Sequence, residues 1–306
     1  MIENIHANQD VGDGVKQTQT FEATVAEVIA MARSNDDGLA GKVGEIDDQM
    51  TSADEQTRRV LHEKIRGPVL ATVRQDPTLL ARLSFASSLV NLPASPFFRA
   101  VTEALAEHEK LLTPEELLTV TATFRRIGAY NRMQKFADTL IEKLDDPEVP
   151  EALRLRSKLS YELHMAEYQK GDYQKSMSLA GMSADEAERA GDIPGKLYAQ
   201  MNVSGLLLPA LGRHEEGVAL SEEVCRQAEE LALNATDSDA RNRVLRIAMN
   251  TYFHRIRIVV ENEGNAGDIK HLLAQLGENP VFQSCKDEEW VKKDIQIAND
   301  FIQRRP

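Results

Sequence analysis

Three glycines, Gly128, Gly171 and Gly212, recur at intervals of 43 and 41 residues, each between two stretches whose apolar residues repeat with helical spacing. The position just past the last turn of a helix commonly takes left-handed backbone angles, which a Cβ resists and glycine accepts. The spacing therefore predicts helix pairs over 114–127 with 130–144, 150–170 with 173–190, and 194–211 with 214–233. Their turns are Gly128-Ala129, Gly171-Asp172 and Gly212-Arg213. A long helix at 238–262, a shorter one at 266–276 and a closing one at 286–304 are predicted to follow. A helical hairpin repeated at a nearly constant period cannot bury both its faces alone, so it stacks on its neighbours. The expected fold class is all-α, an α-α superhelix of such hairpins with a helical N-terminal part.

That N-terminal part is less regular. Residues 1–19 are polar and are expected to be a disordered lead-in. A short amphipathic helix is predicted from Phe21 to Ser34, with Phe21, Val25, Val28, Ile29 and Ala32 on one side. The stretch Ser34–Met50 is rich in Gly and Asp and is expected to be a loop. Thr51-Ser52-Ala53-Asp54-Glu55 offers N-cap chemistry for a helix to about Ile65, and Gly67-Pro68 is expected to break the chain. Further helices are predicted at 69–75, 77–90 and 94–111, bounded by Asp76-Pro77, Leu92-Pro93 and Thr113-Pro114. The organisation expected is a lead-in over 1–19, a helical region over 20–112, and a solenoid over 113–306 closed by a capping helix.

Composition supports helix and excludes several partners. Apolar residues make up 42% of the chain and aromatics only 5%, a balance that suits Leu- and Ala-based helix packing rather than β-surfaces. With 36 basic and 49 acidic residues the formal charge is −13, which repels phosphate backbones, so nucleic acid is not expected as a partner. No run approaches the ~18 apolar residues of a membrane span, and the polar first twenty residues do not resemble a signal peptide. Cys225 and Cys285 lack metal-ligand spacing and are expected to be reduced thiols. A cytoplasmic protein without membrane insertion is expected.

The regular half of the chain resembles the tetratricopeptide-repeat family. The match is tightest from Asn202 through Gly205 and Gly212 to Gly217, where small residues lie seven before and five after the turn glycine. Tyr168-Gln169-Lys170-Gly171-Asp172-Tyr173 with Ser176 looks like the same turn, and Ile127-Gly128-Ala129-Tyr130 with Met133 is a weaker copy. Small residues let the two helices of a hairpin approach, while an aromatic two residues past the turn fills the gap at its end. The period is longer than the family's usual ~34 residues, and the proline closing many family repeats is present only loosely, as Pro147, Pro150 and Pro194. The resemblance spans residues 114–276 and implies a long-period solenoid that binds proteins or peptides on its concave face.

Catalytic motifs are missing from the sequence. Leu61-His62-Glu63 and His214-Glu215-Glu216 each lack a second His one turn on, so neither can present two imidazoles to a metal. No glycine-rich run ends in Gly-Lys-Ser/Thr. The pairs Asp36-Asp37, Asp47-Asp48 and Asp145-Asp146 lack the alternating ligands of a calcium loop. An enzyme, a cofactor and a bound metal are therefore not expected, and no catalytic residue is assigned.

Partner-binding residues are expected in two groups. By position in the resemblance, Lys158, Tyr161 and Asn202 line the groove, with Asn202 able to donate to and accept from an amide or a carboxylate. On the long helix, Arg243, Arg246, Asn250, His254 and Arg257 follow at steps of 3, 4, 4 and 3 residues, which places them on one stripe. Opposite lie Leu245, Met249, Tyr252, Phe253, Ile256 and Val260, a core face. A cationic stripe on an acidic protein fits an acidic peptide or a free carboxylate, and it also fits a solvated face paired with Glu222 and Glu229. The function expected is a protein- or peptide-binding adaptor or scaffold; a ligand-responsive sensor and an accessory subunit of a larger complex are the alternatives.

Overall fold

The structure is a computed structural model that describes residues 3–34, 36, 38–76, 79, 95–106, 109–144, 146, 148–262 and 264–304. Among the described residues every regular element is a helix. The chain divides into two compact units, residues 1–145 and 146–306.

The first unit holds α1 (Glu3–Ser34), α2 (Leu39–Ser52), α3 (Glu55–Gln75), α4 (Pro96–Ala106), α5 (Pro114–Arg126) and α6 (Tyr130–Glu142). Phe21, Val25, Val28, Ile29 and Ala32 form the buried side of α1 as their spacing predicts. The helix nevertheless begins at Glu3, within the stretch expected as a lead-in. The expected loop over 34–50 is corrected to α2, because Leu39, Val43, Ile46 and Met50 keep helical spacing and are all buried despite the Gly and Asp between them.

The expected break at Gly67-Pro68 is corrected too. Helix α3 continues through Pro68, and the Thr72 hydroxyl donates to the Pro68 carbonyl at 2.8 Å. The helix expected at 77–90 lies almost wholly outside the described residues. Of that expected at 94–111, the described residues include α4 and a 3-10 turn, Glu109–Leu111. Buried Asp47, on α2, accepts the Phe97 amide of α4 at 2.8 Å and so caps a helix distant in sequence. Helix α5 starts at a capping box in which the Thr113 amide donates to Glu116 at 2.7 Å and the Glu116 amide donates to the Thr113 hydroxyl at 3.3 Å.

The second unit holds α7 (Pro150–Lys170), α8 (Tyr173–Arg189), α9 (Ile193–Asn202), α10 (His214–Asn234), α11 (Ser238–Glu261), α12 (Ala266–Glu278), α13 (Pro280–Cys285) and α14 (Glu289–Arg304). Helix α9 continues through a π-helical turn, Val203–Leu207, and a last turn, Leu208–Ala210. Pro209 explains the wide turn: it has no N–H to give to the Gly205 carbonyl, and the Leu208 amide reaches back to the Val203 carbonyl instead.

One device ends and restarts these helices. Gly171, Gly191 and Gly212 take φ of 84, 71 and 74°, as Gly128 does at 71° in the first unit. At each, the glycine amide donates to the carbonyl three residues back and the next amide to the carbonyl five back. Asp172 and Asp192 follow two of these glycines and cap the next helix, accepting the Lys175 and Gly195 amides at 3.1 and 3.0 Å. Gly-Asp thus stops one helix and starts another.

Helices α7 and α8 pack antiparallel along a seam of small polar residues. Ser157 and Ser183 each donate to the other's carbonyl at 2.8 Å, and Ser176 donates to the His164 carbonyl at 2.8 Å. At the turn the Tyr168 and Tyr173 rings lie 5.5 Å apart between centroids. Helices α9 and α10 approach so closely that a Cβ on Gly217 would lie 2.7 Å from the Ser204 carbonyl oxygen. Beyond them, Val224, Ala228, Leu245, Met249, Phe253, Leu272 and Val291 form part of a continuous core over α9 to α14.

Candidate functional site

Three helices of the second unit frame a cavity of about 640 Å³. Arg154 and Lys158 enter it from α7, Asp192, Pro194, Gly195 and Tyr198 from the start of α9, and Arg243, Arg246, Ile247 and Asn250 from α11. Helix α9 packs against both α7 and α11. The cavity therefore has a basic wall on either side and a floor made by α9. Its volume falls within the range typical of ligand pockets.

Arg154 and Lys158 are one turn apart on α7, so they leave the helix on the same face. Arg243, Arg246 and Asn250 do the same on α11. Among the described residues no ion pair is made by Lys158, Arg243 or Arg246, while Arg154 meets only its helical neighbour Glu151, at 3.3 Å and exposed. Asp192 brings the one carboxylate among the lining residues, and its Oδ1 is taken up by the Gly195 amide. Glu222 and Glu229, which the sequence offered as partners for the stripe, are engaged elsewhere. Glu222 pairs with Arg255 at 2.7 Å, and Glu229 accepts the Tyr252 hydroxyl at 2.7 Å.

The apolar part of the lining is Pro194, Ile247 and the ring of Tyr198. Tyr198 is 39% exposed, unusual for a large aromatic ring among the described residues, and its hydroxyl lies 3.3 Å from that of Tyr161. Tyr161 itself, expected in the groove, packs beside Tyr198: their rings are 5.2 Å apart, and Tyr161 is not among the cavity's lining residues.

The remaining expected residues are set apart from the cavity. Asn202 is buried, and its amide donates to the Tyr198 carbonyl one turn back at 3.0 Å, so that donor is already spent within α9. His254 packs on Gly205, where the π-helical turn brings α9 against α11; a Cβ on Gly205 would collide with the imidazole. Its Nδ1 is buried without a hydrogen-bond partner among the described residues. Burial, followed by the nearby Arg257 guanidinium, pushes the His254 pKa down to about 4, which keeps the ring neutral. Arg257 donates to both carboxylate oxygens of Asp294 on α14, each at 2.7 Å.

The stripe on α11 is thus one face by helical geometry but meets two environments. Its first half opens into the cavity, and its second half packs against α9 and α14. Sequence reasoning passed over Arg154 and Tyr198. Arg154 was within reach, since it lies four residues before Lys158 and shares its face. Tyr198 holds the same relation to Asn202, but Tyr198 is exposed and Asn202 buried.

The thiols contribute nothing to this cavity. Burial pushes Cys225 up to about 12, and Cys285, also raised by burial, lies 3.5 Å from the Met249 sulfur. Among the described residues no group of His, Cys, Asp and Glu could hold a metal ion, and no helix is long and apolar enough to cross a membrane. No protein-family model, curated protein or solved structure matches the chain.

Proposed function

We propose that residues 146–306 are a stack of tetratricopeptide-like hairpins that captures an acidic segment of another protein, so that the chain works as an adaptor or scaffold. The observation that carries this reading is the convergence of Arg154, Lys158, Arg243 and Arg246 on one cavity whose lining offers a single carboxylate, Asp192, against them. Like charges gathered in a concave, partly apolar site focus a positive potential, which an otherwise acidic surface would not supply. Guanidinium groups add paired donors that match a carboxylate, and the Asn250 amide can serve a peptide group. The antiparallel hairpins turning at Gly171 and Gly212, with α7, α9 and α11 as the row that faces the cavity, support the superhelical arrangement. Fold likeness alone does not fix function, so the cavity chemistry bears the weight.

The test is binding of a fluorescent acidic peptide to the full chain, against a twin in which every Glu is Gln. The acidic peptide is expected to bind and to weaken as salt rises, because exposed charges are screened. Arg243→Glu with Arg246→Glu, both on exposed side chains, should cost at least ~10-fold in affinity, about 1.4 kcal/mol. Equal binding of the Gln twin, or unchanged affinity in a variant with the native helical signal, would refute the proposal.

A further inference from the structure

Resting on that reading of the cavity, we infer that the partner segment is bipartite: acidic residues on both sides of a central apolar or aromatic residue, bound within a chain rather than by a terminal carboxylate. The four cations form two pairs. Arg154 and Lys158 belong to α7, Arg243 and Arg246 to α11, and α9 packs against both helices, with Pro194 and Tyr198 in the lining.

A single carboxylate can satisfy one wall only. Packed helices lie ~8–10 Å apart, so α7 and α11, one on each side of α9, are roughly 16–20 Å apart between axes. An extended segment advances about 3.3 Å per residue. Acidic positions four to six residues apart, about 13–20 Å, therefore reach both walls while the residue midway lies over α9. There the exposed Tyr198 ring, held by the Tyr161 hydroxyl, offers an aromatic face with Pro194 and Ile247 beside it. Asp192 sets a single carboxylate against the four cations, so the lining as a whole still favours an acidic ligand. A chain terminus would bring its extra charge to one wall and leave the other pair of cations facing each other without an anion.

Three acetylated, amidated peptides test this by fluorescence anisotropy with the full chain. The first is Glu-Glu-Ser-Phe-Ser-Glu-Glu. The second has the same composition with the acids in one block, Ser-Phe-Ser-Glu-Glu-Glu-Glu. The third has Ser in place of the central Phe. The first is expected to bind ~10-fold tighter than either of the others. Arg154→Ala with Lys158→Ala, and separately Arg243→Ala with Arg246→Ala, should each weaken the first peptide ~10-fold. Circular dichroism of each variant checks that these exposed substitutions leave the helices intact.

Equal affinity for the first two peptides, dependence on one pair alone, or a gain when the C-terminal amide is replaced by a free carboxylate would overturn the bipartite segment and leave the acidic-partner reading standing. Failure of every acidic peptide to bind, including the case in which inorganic tripolyphosphate binds instead, would overturn both.

Discussion

Substitution of Gly205 by Ala separates close packing of α9 on α11 from ordinary helix propensity. In an exposed helix interior the change stabilises by up to ~1 kcal/mol, because Gly is the poorer helix former. Gly181 on α8 is such a place: it is exposed, and an added Cβ would meet nothing within 4 Å. At Gly205 the added Cβ would overlap the His254 ring and lie 2.6 Å from the His254 Cβ, an atom that no rotamer change can move away. Overfilling a packed contact costs ~1–3 kcal/mol.

Set against the propensity gain, the expected net loss at Gly205 is about 1–2 kcal/mol. At ~2–4 °C per kcal/mol for a unit of this size, the melting temperature should fall by about 2–8 °C. Urea unfolding followed by the chain's single tryptophan, Trp290, reports on the second unit, to which it belongs. Gly181→Ala should raise the midpoint and Gly205→Ala should lower it. In a His254→Ala background, which removes the ring but keeps the Cβ, the Gly205→Ala penalty should shrink, as a double-mutant cycle requires of contacting residues. A Gly205→Ala variant as stable as Gly181→Ala, or a penalty unaffected by His254→Ala, would refute the proposed contact.

Three further outcomes follow from the same geometry. Arg257→Ala strands the buried Asp294 carboxylate and should destabilise by ~1–3 kcal/mol in urea, with acidic-peptide affinity changed less than twofold because Arg257 lies outside the cavity. His254 titrates near 4 when folded and near 6.5 when unfolded, so below about pH 6.5 the unfolded chain takes up a proton that the folded one refuses; stability should fall by ~2–3 kcal/mol from pH 6.5 to 4, and the fall should shrink by that amount in His254→Gln. An equal pH dependence in that variant would refute the assignment. Gly171→Ala forces a Cβ into left-handed backbone angles and should cost ~1–2 kcal/mol by thermal melting, with Gly171→Asn costing less.

The helical class and most helix boundaries of the second unit were legible because they rest on local chemistry: turn glycines, capping Asp residues and apolar spacing. Gly191 completes the series of turn glycines at half the interval of Gly171 and Gly212, and it was overlooked because it separates hairpins rather than lying within one. Helix α2 was missed for the opposite reason. Its Gly and Asp look like a loop, yet burial of Leu39, Val43, Ile46 and Met50 outweighs their unfavourable propensity. The cavity was half legible. Arg243, Arg246 and Asn250 could be named from spacing and Lys158 from its position in the resemblance, but His254 and Arg257 share that spacing, Asn202 came from the same resemblance, and all three point into packed surroundings. What decides between the two is the approach of α9 to α11 at Gly205 and the position of Asp294, which are tertiary facts that no local pattern encodes.

The most direct measurement is a crystal structure of the full chain with the bipartite acidic peptide bound. Peptide carboxylates within hydrogen-bond distance of Arg154 or Lys158 on one side and of Arg243 or Arg246 on the other, with the phenylalanine over Tyr198, are the result expected. A peptide bound elsewhere on the molecule, with the cavity between α7, α9 and α11 holding none of it, would contradict the account.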